Sequence, residues 1–165
     1  HYHWKEDNVI TNIGKEIVDT IVKDDPVRPH LDTDFRTSSH REVYALYEDK
    51  YAEYDNPDED IKAVICVAYT NEVPKDEVEL DMFSQQACQD GQRGHIAVFY
   101  TVWSYSKGAG REIVNSVAKQ LHDSERATRF VTLSPLTEMA ERFHIRNGAK
   151  LLEKHKTCQN FEYIL

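Results

Sequence analysis

Three features of the sequence carry residue types suited to chemistry. The turn Ser106-Lys107-Gly108-Ala109-Gly110-Arg111 sets two glycines and two cations between an apolar run and an amphipathic one. Glycine lets a backbone approach a ligand closely, and the first N–H groups of a helix have no intrahelical partner. With the helix dipole behind them, such donors suit an anion like a pyrophosphate. A plain strand-to-helix turn with solvated basic residues reads the same at this length. The second feature is Ser134, which precedes a proline as an ordinary helix N-cap does. The third is His144, one position past an apolar stripe, where an imidazole either sits as a helix C-terminal cation or moves protons near neutral pH. Were one helix to run unbroken between the two, ten residues at ~1.5 Å rise would hold their backbones ~15 Å apart. A direct hydrogen bond between them therefore needs a bend or a later helix start.

The elements that must position these residues follow from apolar periodicity. Ile10, Ile13, Ile17 and Ile21, with Val18 and Val22, predict an amphipathic helix that stops near Asp24-Asp25-Pro26. Pro29 to His40 gives no clear signal. Glu42 to Tyr47 and Lys62 to Tyr69 read as strands, the second apolar enough to be central, and Asp55 to Asp60 reads as the turn between them. Glu77 to Gln86 is ambiguous, and His95 to Trp103 is a strong strand. After the glycines, Ile113, Val114, Val117, Ala118 and Leu121 mark one face of a helix. Phe130 to Leu133 is a short strand, and Ser134-Pro135 is read as opening a second helix that carries Leu136, Met139, Ala140 and Phe143 and ends at Asn147-Gly148. Ala149 to Glu153 and Asn160 to Leu165 close the chain as strands. This order predicts an α/β (α+β) fold, a mixed central sheet flanked by helices.

Composition narrows the classes. The 165 residues fit a single domain, with 40% hydrophobic residues to fill a core. A net charge of −9 argues against a nucleic-acid-binding surface, while a small basic pocket for an anion remains allowed. The acidic runs Asp55–Asp60 and Asp76–Asp81 read as solvated faces, or as an attraction for a cationic amine. No apolar run is long enough for a bilayer, and His1-Tyr2-His3-Trp4-Lys5-Glu6-Asp7 lacks the pattern of a signal peptide. Cys66, Cys88 and Cys158 have no metal-ligand spacing, and Cys66 reads as a small buried hydrophobe, so a reducing, cytoplasmic setting is expected. His30, His40, His95, His122 and His155 are scattered without metal-binding spacing. Trp103 and Tyr105 fit a core strand and its exit.

Two segments together resemble the GCN5-related N-acetyltransferase (GNAT) superfamily. Tyr105-Ser106-Lys107-Gly108-Ala109-Gly110 is similar to that family's [RQ]xxGx[GA] turn, with Tyr105 where Arg or Gln is usual. Ala140-Glu141-Arg142-Phe143-His144-Ile145-Arg146-Asn147-Gly148-Ala149 is similar to its A-x-x-F-Y-x-K-x-G-F element. From Arg41 onward the chain looks most like the C-terminal catalytic region of malonyl-CoA decarboxylases. Arg41 to Leu46, Val67 to Thr70, Val98 to Thr101, Leu133 to Leu136 and Phe143 to Ala149 carry that likeness. The first 40 residues are then an N-terminal helical segment of the same domain. The long insertion of those enzymes between the last two landmarks has no counterpart in these 165 residues, nor has their large helical N-terminal domain.

The resemblance implies a GNAT-like acyl-CoA N-acyltransferase fold and a coenzyme A thioester, acetyl-CoA or malonyl-CoA, as substrate. Backbone amides around Lys107, Gly108, Ala109, Gly110 and Arg111 would hold its pyrophosphate. The splayed ends of the Val98–Trp103 strand, Val102 and Trp103 included, and of the Phe130–Leu133 strand would admit the pantetheine. His144 falls where many family members carry a tyrosine that protonates the departing thiolate. Ser134 and His144 fall on the serine and histidine proposed as the catalytic pair of the decarboxylases. Acyl transfer to an amine is the leading expectation, decarboxylation of a malonyl thioester the alternative, and a non-catalytic acyl-CoA-binding module the third. The last strand could pair between chains, since proteins of this kind often dimerise.

Overall fold

The computed structural model describes residues 8–48, 60–89, 91 and 93–165. The chain opens with strand β1 (Val9–Ile13), helix α1 (Lys15–Ile21), a single 3-10 turn (Val22–Asp24) and a short helix α2 (Thr33–Thr37). Strands β2 (Arg41–Tyr47) and β3 (Ile61–Thr70), helix α3 (Glu77–Gln89) and strand β4 (Ile96–Ser104) follow. The second half holds α4 (Ala109–Asp123), β5 (Arg129–Thr132), β6 (Ser134–Pro135), α5 (Glu138–Arg146), β7 (Lys150–Lys154) and β8 (Cys158–Tyr163). The strands form one mixed sheet in the order β1-β2-β3-β4-β5-β8-β6, with β7 on the other edge of β8. Among the described residues only β4 and β5 run parallel, joined by the crossover helix α4.

Alternation along the strands builds two cores, one on each sheet face. Ala63, Ile65, Val67 and Tyr69 of β3 pack with Ile113, Val114, Val117 and Leu121 of α4 on one face. Val64, Cys66 and Ala68 pack with Val18 and Ile21 of α1 and Leu80 of α3 on the other. Cys66 is thus a fully buried hydrophobe, as expected.

Three sequence expectations are corrected. The helix expected from Ile10 is a strand up to Ile13 and a helix only from Lys15, because Val9–Ile13 finds a complete antiparallel partner in β2. Pro29 to His40, which gave no signal, contains α2, N-capped by the Asp32 carboxylate accepting from the Phe35 amide at 2.8 Å. Ser134-Pro135 does not open a helix: it is a two-residue strand on β8, and α5 begins four residues later with Thr137 as its N-cap. The ambiguous Glu77 stretch is helical, and most of the acidic turn at 55–60 lies outside the described residues. The last strand is engaged within the chain on both edges, by β5 and β6 on one side and β7 on the other.

Candidate active site

The candidate site lies where β4 and β5 part. Their ladder runs from Ile96 opposite Arg129 to Phe99 opposite Thr132, and the Leu133 amide gives one more bond to the Phe99 carbonyl at 3.0 Å. Beyond that rung β4 continues to Ser104, whereas the other chain turns away to pair with β8. A bulge sharpens the split. Cys66 faces Thr101 and Val67 faces Phe99, so Tyr100 is an extra residue on β4. Ala97 and Phe99 point to the α4 core and Tyr100 to the other; after the bulge Val102 returns to the α4 side and Trp103 to the opposite one. One inserted residue therefore sets which side chains of the outer β4 segment face which layer.

Between the parted strands is a cavity of about 250 Å³. Val102, Trp103 and Gly110 line it together with Ser134, Phe143 and His144, while Pro26 and Val27 of the N-terminal segment close one wall. A wider groove of about 550 Å³ beside α3 includes none of the sequence-predicted site residues.

The glycine turn stands at the α4 end. Gly108 is the N-cap, with φ at +80°, a left-handed conformation that glycine adopts without strain. No side chain caps the first turn of α4. Lys107 and Arg111 are exposed, and neither is ion-paired among the described residues. Ala109 and Gly110 are buried, and a Cβ at Gly110 would stand 3.4 Å from Cε1 of Phe143, so the absent side chain lets α4 begin against α5. Of the turn residues only Gly110 reaches the cavity wall; Lys107, Gly108, Ala109 and Arg111 stand beyond its lining.

His144, 7% exposed, is held on three sides. Its ring stacks on Phe161 with centroids 5.4 Å apart and meets the edge of Phe143 at 5.0 Å. Nδ1 is 2.8 Å from the Tyr163 hydroxyl. Burial pushes its pKa down to about 4, so the ring is neutral at pH 7. Ser134 is 3% exposed, and its Oγ is 2.8 Å from that of Thr132. The Thr132 oxygen accepts from the Phe161 amide at 3.0 Å, which leaves its own proton free to point at Ser134. Ser134 and His144 thus line one cavity, brought together by the late start of α5, and no direct hydrogen bond joins them among the described residues.

A buried ionic cluster that sequence reasoning missed lies behind β4. Arg36, 0% exposed, donates from Nη1 to Asp25 at 2.8 Å and from Nη2 to the Arg28 carbonyl at 2.6 Å. Arg28 donates to the Tyr100 carbonyl at the bulge and, at 3.1 Å, to Glu77. Thr101 Oγ1 donates to Asp25 at 2.9 Å. Burial alone would raise the Asp25 carboxyl; bonds from the Arg28 backbone, Arg36, the Val27 backbone and Thr101 outweigh it and hold the group below its ordinary value. The cluster grips the bulge from the side opposite α4. Its charges have no periodic spacing, so the only signal was three ionisable residues among Val27, Leu31 and Phe35.

No family model and no curated protein matches the chain. Solved structures do. A malonyl-CoA decarboxylase from Agrobacterium vitis superposes with a TM-score of 0.70 at 15% identity, over 96% of this chain and 60% of that one. Arabidopsis thaliana NAA60 in complex with acetyl-CoA superposes with a TM-score of 0.60 at 13% identity, over 95% of this chain and 98% of that one. The Campylobacter jejuni N-acetyltransferase PseH gives 0.55 at 12% identity, over 94% and 96%. The fold is that of the GCN5-related N-acetyltransferases. The parted β4 and β5, the glycine N-cap of α4 and the cavity between them are parts of one GNAT-fold scaffold in this chain, which spans 60% of the decarboxylase from Agrobacterium vitis. Among the described residues no helix is long and apolar enough to cross a membrane.

Proposed function

We propose that this chain is an acyl-CoA-utilising enzyme, and that its reaction is decarboxylation of a malonyl-type thioester. The observation that carries the choice is the convergence of Ser134 and His144 on one cavity in which, among the described residues, no carboxylate takes part. Transfer to an amine needs a base for the ammonium as well as an acid for the thiolate, and His144 is the one imidazole among the lining residues, with no carboxylate or amine beside it. Decarboxylation needs no such base. It needs a donor to the thioester oxygen and a proton for carbon.

Those tasks fit the two side chains. The uncapped amides of the Gly108 turn, with Lys107 and Arg111, would hold the pyrophosphate. The pantetheine would lie between the parted strands past Val102 and Trp103. As the bond to the carboxylate carbon breaks, its electron pair moves onto the adjacent carbon and the thioester oxygen, and neutral carbon dioxide leaves among apolar side chains. Ser134 would donate its hydroxyl proton as a hydrogen bond to that oxygen, with Thr132 supplying the donor behind it. An anionic substrate beside the imidazole favours the charged ring. His144 would then pass one proton from Nε2 to the carbanionic carbon, so one proton is consumed for each acetyl thioester formed.

Incubation with malonyl-CoA and no acceptor is the test: acetyl-CoA and carbon dioxide are expected to accumulate. Ser134→Ala and His144→Ala are expected to lower kcat by about 10²-fold or more while coenzyme A still binds. The second reading, acyl transfer to an amine, is favoured by the near-complete mutual coverage with the acetyltransferases. Thiol release from acetyl-CoA only when an amine is present would establish it instead. Thioester binding without turnover in either assay would make the chain a binding module.

A further inference from the structure

Whatever reaction His144 serves, its ring must present a defined atom to the cavity. Stacking on Phe161 and the edge of Phe143 fix the plane of the ring but not its face. A half-turn in that plane's slot exchanges Nδ1 with Cδ2 and Nε2 with Cε1, and apolar neighbours do not distinguish the two. The Tyr163 hydroxyl does, because it stands 2.8 Å from Nδ1 and would meet carbon after the turn. Tyr163 is 5% exposed and sits on β8, the strand that also carries Phe161 and pairs with Ser134-Pro135. One strand thereby supports both the serine and the histidine.

The direction of the hydrogen bond follows from the hydroxyl itself. Tyr163 is buried, and among the described residues the one hydrogen bond of its hydroxyl is the contact with His144 Nδ1 at 2.8 Å. Were Nδ1 protonated, two donors would face each other across that contact or the hydroxyl proton would be left buried without an acceptor, so the hydroxyl donates and Nδ1 accepts. We propose that Tyr163 is the positioning residue that holds His144 as the Nε2–H tautomer with that proton facing the cavity. The inference deepens the function proposed above and rests on that reading for its catalytic consequence alone. A hydroxyl also suits a ring that changes charge: it donates to Nδ1 of the neutral imidazole and accepts from Nδ1–H of the cation. A carboxylate in its place would hold the ring charged throughout.

The test reads the ring itself. Long-range 1H–15N spectra of the substrate-free, 15N-labelled full chain near pH 7, with His144→Gln to assign the signals, are expected to show Nε2 protonated and Nδ1 not. Tyr163→Phe, folded by its amide fingerprint, is expected to give mixed tautomers and a kcat about tenfold lower, with KM changed less than twofold. An Nδ1–H ring in the unsubstituted chain, or an unchanged ring spectrum and kcat in Tyr163→Phe, would overturn the proposal. Should Tyr163→Phe fail to fold, the spectrum of the unsubstituted chain still decides. Absence of turnover with every thioester would count against the proposed reaction and leave the tautomer assignment standing on its own spectrum.

Discussion

His144 carries the largest chemical consequence of any single residue, because it is buried without a counter-charge among the described residues. Its pKa in the folded chain, about 4, lies below the ordinary value near 6.5. Between those two pH values the unfolded chain binds a proton that the folded one refuses, so stability rises with pH across that window and is lost as pH falls through it. The full difference amounts to roughly 3 kcal/mol. Urea unfolding at pH 4.5 and pH 7 is expected to show this loss, and His144→Gln is expected to show a smaller one. At the same scale, the identity of His144 as a candidate was legible in the sequence through its motif. Its partner Tyr163 was not, since a tyrosine 19 residues away on an apolar strand reads as core.

At the scale of elements, the glycine turn makes separable contributions. Gly108 has open space around its Cα and a positive φ, so Gly108→Ala is strained without a clash and is expected to cost about 1 kcal/mol in thermal unfolding. Gly110→Val instead presses on Phe143, the neighbour of His144, and is expected to raise KM for the thioester severalfold and to lower kcat. Calorimetry with coenzyme A and steady-state rates separate the two effects. The strands β3 and β4 were readable as nearly continuous apolar runs, and the helix α4 because its apolar residues recur at helical spacing. Two elements failed that reading for the same reason. Ile10, Ile13, Ile17 and Ile21 keep helical spacing across Gly14, yet β2 supplies a hydrogen-bonding partner for the first half. Ser134-Pro135 satisfies the rule for a helix start, yet β8 claims it. Both outcomes depend on strands distant in sequence, which no local pattern encodes.

At the scale of the molecule, the N-terminal segment is a structural part of the site. Asp25, Arg28 and Arg36 join it to the bulge of β4, and Pro26 and Val27 form a wall of the cavity. Removing one charge of the buried pair leaves the other without compensation, which costs about 3–5 kcal/mol. Asp25→Ala is therefore expected to lower the melting temperature sharply, and a chain starting at Arg41 is expected not to give a cooperative transition by circular dichroism. The sequence offered no pattern for this clamp, because its charges answer one another across the sheet and not along a helix.

The gap between β4 and β5 exists because a ladder ends. Past the Leu133-to-Phe99 bond the two backbones have no further rungs among the described residues, so the opening is bounded by main-chain register as much as by side-chain bulk. Shortening or lengthening that zipper by a pair would resize the slot in steps of a whole residue. Acyl-length preference in proteins built on this plan should accordingly drift through insertions and deletions near the fork, and only secondarily through exchange of the side chains that line it.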